Sequence, residues 1–223
     1  MQLLIIQFFP IVVAAAVVAV GGGIYRNRKR IFGQHIAVLG PKGSGKTTFL
    51  NYLRGINTSV SEGTGKEEYK TFTFTLNDGT KIKIKSGNDI GGGVDFKGLY
   101  EEMIADSNAV IIVFDVNRYL FDKKRNEEDK RNYQQLTHVR FKHIYNKFVK
   151  VHGKIDNERI AVIGSHKDET GKDNETLRSL FSETIKDKDY REALLNCHFC
   201  DLTNEKELNK LVNIIFGKSI FKK

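Results

Sequence analysis

Cysteine is nearly missing from this 223-residue chain: only Cys197 and Cys200 occur. Two thiols cannot form the disulfide framework of a small secreted domain, so a reducing compartment suits the composition. Charge is missing from residues 1–25, and acid is missing from residues 138–154, where five Lys/Arg and three His occur. The composition of a disordered chain is also absent. Hydrophobic residues make up 40% and charged residues 28%, enough for a packed core. The length suits one compact domain with an appendage. The net charge is +9, and Arg26, Arg28, Lys29 and Arg30 supply four of those charges directly after an apolar run. That placement is a membrane signal, and nucleic acid is not an expected partner.

The apolar run is Leu3 to Tyr25, interrupted only by Gln7 and Pro10. About 20 residues of helix cross a hydrocarbon core, and membrane helices tolerate proline. A cleaved secretory signal needs a basic stretch before the apolar one, and here the basic stretch follows. Residues 1–25 are therefore expected to be a transmembrane anchor and 26–33 a basic juxtamembrane linker. The positive-inside rule then leaves the rest in the cytoplasm as a single-pass membrane protein.

Residues 34–39 (QHIAVL) read as a buried strand, and TFLNYLRG after Thr47 reads as a helix ending at Gly55. Between them stand Gly40, Pro41, Lys42, Gly43, Ser44, Gly45, Lys46 and Thr47, the G-x-x-x-x-G-K-[ST] pattern in its strand–loop–helix context. Glycines let the backbone turn successive N–H groups inward as an anion nest, and the helix N-terminus adds partial positive charge. Lys46 would reach the β- and γ-phosphates of a nucleoside triphosphate and Thr47 would ligate Mg²⁺. Gly40, Lys42, Gly43, Ser44, Gly45 and Thr48 complete the phosphate contacts.

Residues 58–68 are expected to form a polar loop. Within it Thr64 could bind Mg²⁺ and the γ-phosphate, with Thr58 and Thr71 as competitors for that role. Tyr69–Leu76 and Thr80–Lys85 alternate around Asn77-Asp78-Gly79 and predict a β-hairpin. The second strand leads into Asp89-Ile90-Gly91-Gly92. An acid at a strand end followed by x-x-Gly suits a γ-phosphate sensor. Asp89 would hold the Mg²⁺ hydration shell and the Gly92 N–H would meet the γ-phosphate.

Ala109–Val116 reads as a buried strand, followed by a long helix over about 122–151 with Phe141, Ile144, Tyr145 and Phe148 facing the core. Its basic 138–154 stretch reads as a solvated face. Residues 159–164 (RIAVIG) form the next strand, ending in Ser165-His166-Lys167-Asp168. An Asp just past such a strand lies in the ligand crevice of a doubly wound sheet, where its carboxylate can accept both N1–H and N2–H₂ of guanine. Cys197–Leu202 reads as a last strand and loop, and Glu205–Phe216 as a terminal amphipathic helix. Cys197 and Cys200 could be half a zinc site, but a buried strand with two inert thiols explains them better.

Over residues 34–217 these segments resemble the small Ras-like GTPases. GPKGSGKT resembles that family's first motif and DIGG its third. SHKD resembles the base-recognition motif in the Thr-His-x-Asp form of Roc-type domains, and Cys200-Asp201-Leu202 is a weak match to the fifth. The resemblance implies an α/β fold with a doubly wound, mostly parallel six-stranded sheet preceded by one transmembrane helix, and a G domain over 34–223. It also implies GTP/GDP and Mg²⁺ as cofactors, with His166, Lys167 and Asp168 at the base. The catalytic set would be Lys46, Thr64 and Gly92, and Thr47, Thr64 and Asp89 would hold the metal. A regulatory or effector protein is the implied partner. One anchor ahead of a G domain is similar in architecture to the β subunit of the signal-recognition-particle receptor. Two departures imply a slow GTPase acting as a guanine-nucleotide switch. Gly93 stands where the family commonly has a water-orienting Gln, and Lys42 is bulky at the third loop position. Two other readings stay open: a membrane-tethered ATPase using Asp115 as a Walker B acid, and a scaffold that binds nucleotide without hydrolysing it.

Overall fold

A computed structural model describes residues 33–56, 65–91, 97–125, 131–154, 156–186 and 190–218. The anchor expected at 1–25 and linker residues 26–32 lie outside these. Among the described residues, no helix is long and apolar enough to cross a membrane.

Runs of buried aliphatic residues become parallel strands because a strand covered on both faces has no polar side to show. Strands β1 (Ile36–Leu39), β6 (Ala109–Asp115) and β7 (Ile160–Ser165) are buried at every position. With the two-residue β8 (His198–Phe199) they form one parallel sheet in the order β1-β6-β7-β8. Ile36 faces Ala109, Val110 faces Ile160, and Ile163 faces His198.

Two apolar clusters take alternate residues of these strands. Ala37, Leu39, Val110, Ile112, Phe114 and Val162 pack with α2 (Lys97–Asp106), α3 (Val116–Phe121), α4 (Tyr133–His152), α5 (Asn174–Thr184) and α6 (Arg191–Leu195). Ile36, Val38, Ile111, Val113, Ala161 and Ile163 pack with α1 (Lys46–Leu53) and α7 (Glu205–Phe216). Phe114 centres the first cluster, stacked on Phe181 at 5.2 Å and met edge-on by Tyr119 and Phe141. Each such fully buried side chain contributes roughly 1.5–3 kcal/mol. The helix after β1 and the helices after β6 thus lie on opposite faces of neighbouring strands. That is the arrangement which opens a crevice at the strands' C-terminal ends.

A long antiparallel ribbon completes this unit. Strands β2 (Lys66–Tyr69) and β5 (Gly87–Ile90) pair, as do β3 (Phe72–Thr75) and β4 (Lys81–Ile84). The two ladders share one register, Lys66 facing Ile90, Tyr69 facing Gly87 and Phe72 facing Ile84. At the break between them Ser86 N–H donates to Thr71 Oγ1 at 3.1 Å, so a hydroxyl takes the place of a ladder carbonyl.

Six strands in one sheet were expected; among the described residues the sheet has four. The backbone of the ribbon bonds to the chain leading into β1 at Gln34, which bridges Ile84 and exchanges bonds with Lys83 O and Lys85 N at 2.8 and 2.9 Å. Farther along that edge the Tyr69 side chain intervenes. A Cβ on Gly87 would lie 2.6 Å from the Tyr69 hydroxyl, which itself sits 3.5 Å from Ile36 O. An aromatic ring, rather than a strand backbone, covers that edge.

The helix expected over 122–151 is also redrawn. Asp115 caps α3 directly at the end of β6, accepting from Arg118 N at 2.9 Å. Helix α4 starts only at Tyr133, where Asn132 and Gln135 form a capping box. Part of its basic face is paired: Lys147 bonds Glu101 of α2 at 2.8 Å.

Candidate functional site

The Gly40–Thr47 loop joins the C-terminal end of β1 to α1, and its path is set by three glycines at positive φ: Gly40 (155°), Gly43 (74°) and Gly45 (84°). At Gly40 the fit is tightest. A Cβ there would lie 1.8 Å from Val113 O of β6, backbone against backbone. The Gly40 carbonyl in turn accepts from the Tyr100 hydroxyl at 2.9 Å. Gly40→Ala is expected to cost about 2–4 kcal/mol, read as a lowered melting temperature of the nucleotide-free protein.

Helix α1 begins at Lys46 with no side-chain cap from Gly45, so its first N–H groups face the loop. The Lys46 ammonium is buried and donates to Pro41 O at 2.8 Å, folding back across the loop. Burial lowers its pKa to about 8; Asp89 opposes that shift and Arg140 adds to it. Lys42 and Gly43 are exposed, Thr47 and Thr48 are half-buried, and Ser44 is fully buried. Glycines at positive φ, an uncapped helix N-terminus and a buried ammonium are the chemistry that suits a multiply charged anion.

Asp89, buried in β5, meets Thr47 through a hydrogen bond from the threonine side chain. Its Oδ1 is buried without a hydrogen-bond partner. Burial raises the Asp89 pKa, while the Thr47 bond and the Lys46 charge pull it back. A buried carboxylate oxygen next to a hydroxyl, at the edge of an anion nest, is a donor set for a hard cation. Among the described residues no group of three or more His, Cys, Asp or Glu could form a metal cage. Thr64, Thr58, Gly92 and Gly93 lie outside the described residues, and Thr71 is engaged in the ribbon.

The end of β7 is tied to this loop. The buried Ser165 hydroxyl lies 2.9 Å from Ser44 O, 3.0 Å from Phe114 O and 2.8 Å from His166 Nδ1. His166 follows in the left-handed region at φ 56°, its Nδ1 3.8 Å from Asp115 Oδ2. Lys167 pairs with Glu207 of α7 at 3.0 Å. Asp168 is exposed and opens a single 3-10 turn, Asp168–Thr170.

The segment after β8 closes the other side. Leu202 Cδ1 lies 2.7 Å from where a Cβ on Gly45 would sit. Asp201 N–H donates to Glu207 Oε2 at 3.1 Å, and the Asp201 side chain accepts from Thr203. Cys197 and Cys200 are free and buried, and burial pushes the Cys200 thiol up to about 12 and the Cys197 thiol up as well. Neither is a thiolate at neutral pH, as the inert reading expects.

No protein-family model matches this chain, and no curated protein does. The site therefore stands on its own geometry. The ends of β1, β5, β7 and β8 bring Lys46, Thr47, Asp89, Ser165 and Leu202 around one loop. Three contributors carry no motif signal: Tyr100 on Gly40, Arg140 beside Tyr100 at 3.5 Å, and Arg118 beside Gly43. Ser165 was visible only as the first letter of SHKD.

Proposed function

We propose that the chain is a membrane-anchored P-loop protein of the Ras-like type that binds GTP and GDP with Mg²⁺. We propose further that it is a slow GTPase serving as a guanine-nucleotide switch on the cytoplasmic side. The observation that carries this reading is the Ser165 hydroxyl on the Ser44 carbonyl. It joins the segment that would read the base to the loop that would wrap the phosphates.

In this reading the loop N–H groups and the Lys46 ammonium hold the phosphates, and Asp168 accepts from the guanine edge. His166, Lys167 and the 200–202 segment line the base side. The Thr47 and Asp89 oxygens fit a metal. When bound, Mg²⁺ would neutralise charge on the phosphate oxygens. Gly93 offers no side chain to orient water, and Lys42 projects from the loop, so turnover is slow. Asp115 caps α3 with one oxygen and lies 3.8 Å from His166 with the other, which favours Asp89 over Asp115 as the acid of the metal site.

The test is equilibrium binding of GTP, GDP and ATP to the full chain in mild detergent, with and without Mg²⁺, followed by single-turnover hydrolysis. Expected are Mg²⁺-dependent binding of GTP and GDP, ATP weaker by about a hundredfold, and slow hydrolysis without a partner. Equal affinity for ATP and GTP would refute the guanine assignment. Fast unaided turnover would refute the slow-switch part.

A further inference from the structure

We propose that Arg118 is a phosphate ligand that the chain supplies from within: its guanidinium flanks the phosphate loop at Gly43 and pairs with the polyphosphate of a bound nucleotide. The inference rests on the nucleotide-binding reading above and adds a residue that the loop motif does not contain.

The first observation is contact. A Cβ added to Gly43 would lie 3.8 Å from Arg118 Nη1, so the guanidinium stands beside the exposed middle of the loop with room for no more than a methyl group between them. Gly43 is at φ 74° and carries no side chain to separate the cation from whatever the loop holds.

The second observation is how the residue is aimed. Arg118 lies in the first turn of α3, and its backbone N–H is the donor to the Asp115 cap. Its guanidinium carbon sits 4.4 Å from the centroid of the Tyr133 ring. The hydroxyl of that ring accepts from Asp115 N–H at 3.0 Å. Cap, strand end and aromatic platform thus form a closed unit that presents the cation to the loop. Stacking on an aromatic face leaves the planar N–H fork free at its edge.

The third observation is availability. The Arg118 side chain is 46% exposed, and its ion pair is with Asp122 on its own helix at 3.5 Å. Exposed i,i+4 pairs are weak, so a doubly charged phosphate competes well for a bidentate guanidinium.

Titrating the full chain and its Arg118→Ala, Arg118→Gln and Arg118→Lys variants with fluorescent GTP and GDP analogues tests this, with melting curves to monitor the fold. Expected is a loss of affinity of roughly 10-fold to 100-fold for both nucleotides in the Ala and Gln variants. Lys should recover part of it, because it restores the charge without the fork. Gln keeps much of the stem on Tyr133, so it decides the matter should the Ala variant not fold. A lower melting temperature with both affinities within twofold of wild type would overturn the proposal and leave Arg118 a packing residue. If the wild-type chain takes up neither analogue, the nucleotide reading itself is wrong and this inference falls with it.

Discussion

Asp168→Asn is expected to weaken GTP binding by a factor of about 100 or more and to leave ATP binding unchanged. The carboxylate is exposed at the start of the 3-10 turn, three residues past a serine bonded to the loop. A charged acceptor there takes two guanine N–H donors, each worth about 1.5–3 kcal/mol. The amide keeps one acceptor oxygen and turns an NH₂ toward the base, so both charge-assisted bonds are lost. Because Asp168 is exposed, the melting temperature should barely move. Competition titrations against a fluorescent nucleotide read the effect directly. Unchanged GTP affinity would leave a triphosphate binder with no preference for guanine.

Lys46→Met should give the other large effect, and with opposite signs in two assays. Nucleotide affinity should fall by about two to three orders of magnitude, the usual result of removing one partner of a desolvated charge pair. The nucleotide-free protein should become more stable at pH 7. Burial lowers the folded-state pKa of Lys46 from 10.5 to about 8. The folded chain therefore pays a desolvation penalty wherever the group is charged in both states. That penalty is full below pH 8 and is relieved as pH rises toward 10.5. Methionine keeps the stem and removes the charge. The same shift predicts that wild-type affinity is flat below pH 8 and declines above it, as the free protein gives up the proton that phosphate binding needs. The Met variant should lack that decline. Calorimetric melting and titrations at pH 7, 8 and 9 separate these effects.

Much of this was legible from residue patterns because a few local rules act alone. IAVL, AVIIVFD and IAVIGS are apolar at nearly every position and became the covered parallel strands β1, β6 and β7. Glycine spacing marks the loop, and the D-x-x-G pattern marks Asp89, which the fold sets beside Thr47. The misses involve competition between rules. Residues 66–68 (KEE) read as the end of a polar loop because all three are charged, yet with Tyr69 they pair with β5 through their backbone. The 122–151 stretch looked like one helix because charge patterning masked the break. The sharper signals were Asp115 as the cap of α3 and Asn132 with Gln135 as a capping box. Arg118, Tyr100 and Arg140 reach the site from elements whose approach depends on packing between distant segments. No spacing in the chain encodes that approach.

The common register of the two ribbon ladders limits which insertions and deletions a descendant of this gene could keep. Side chains alternate between faces, so adding one residue anywhere between Ile84 and Asp89 would turn the acid to the opposite side of the ribbon from Thr47. Two extra residues on each strand would keep both the face that Asp89 presents and its pairing with Glu67. Extra residues at Asn77–Gly79 lengthen only the turn and leave that geometry alone. Length variation among relatives should therefore gather at the turn, and elsewhere in the ribbon it should arrive in compensated pairs.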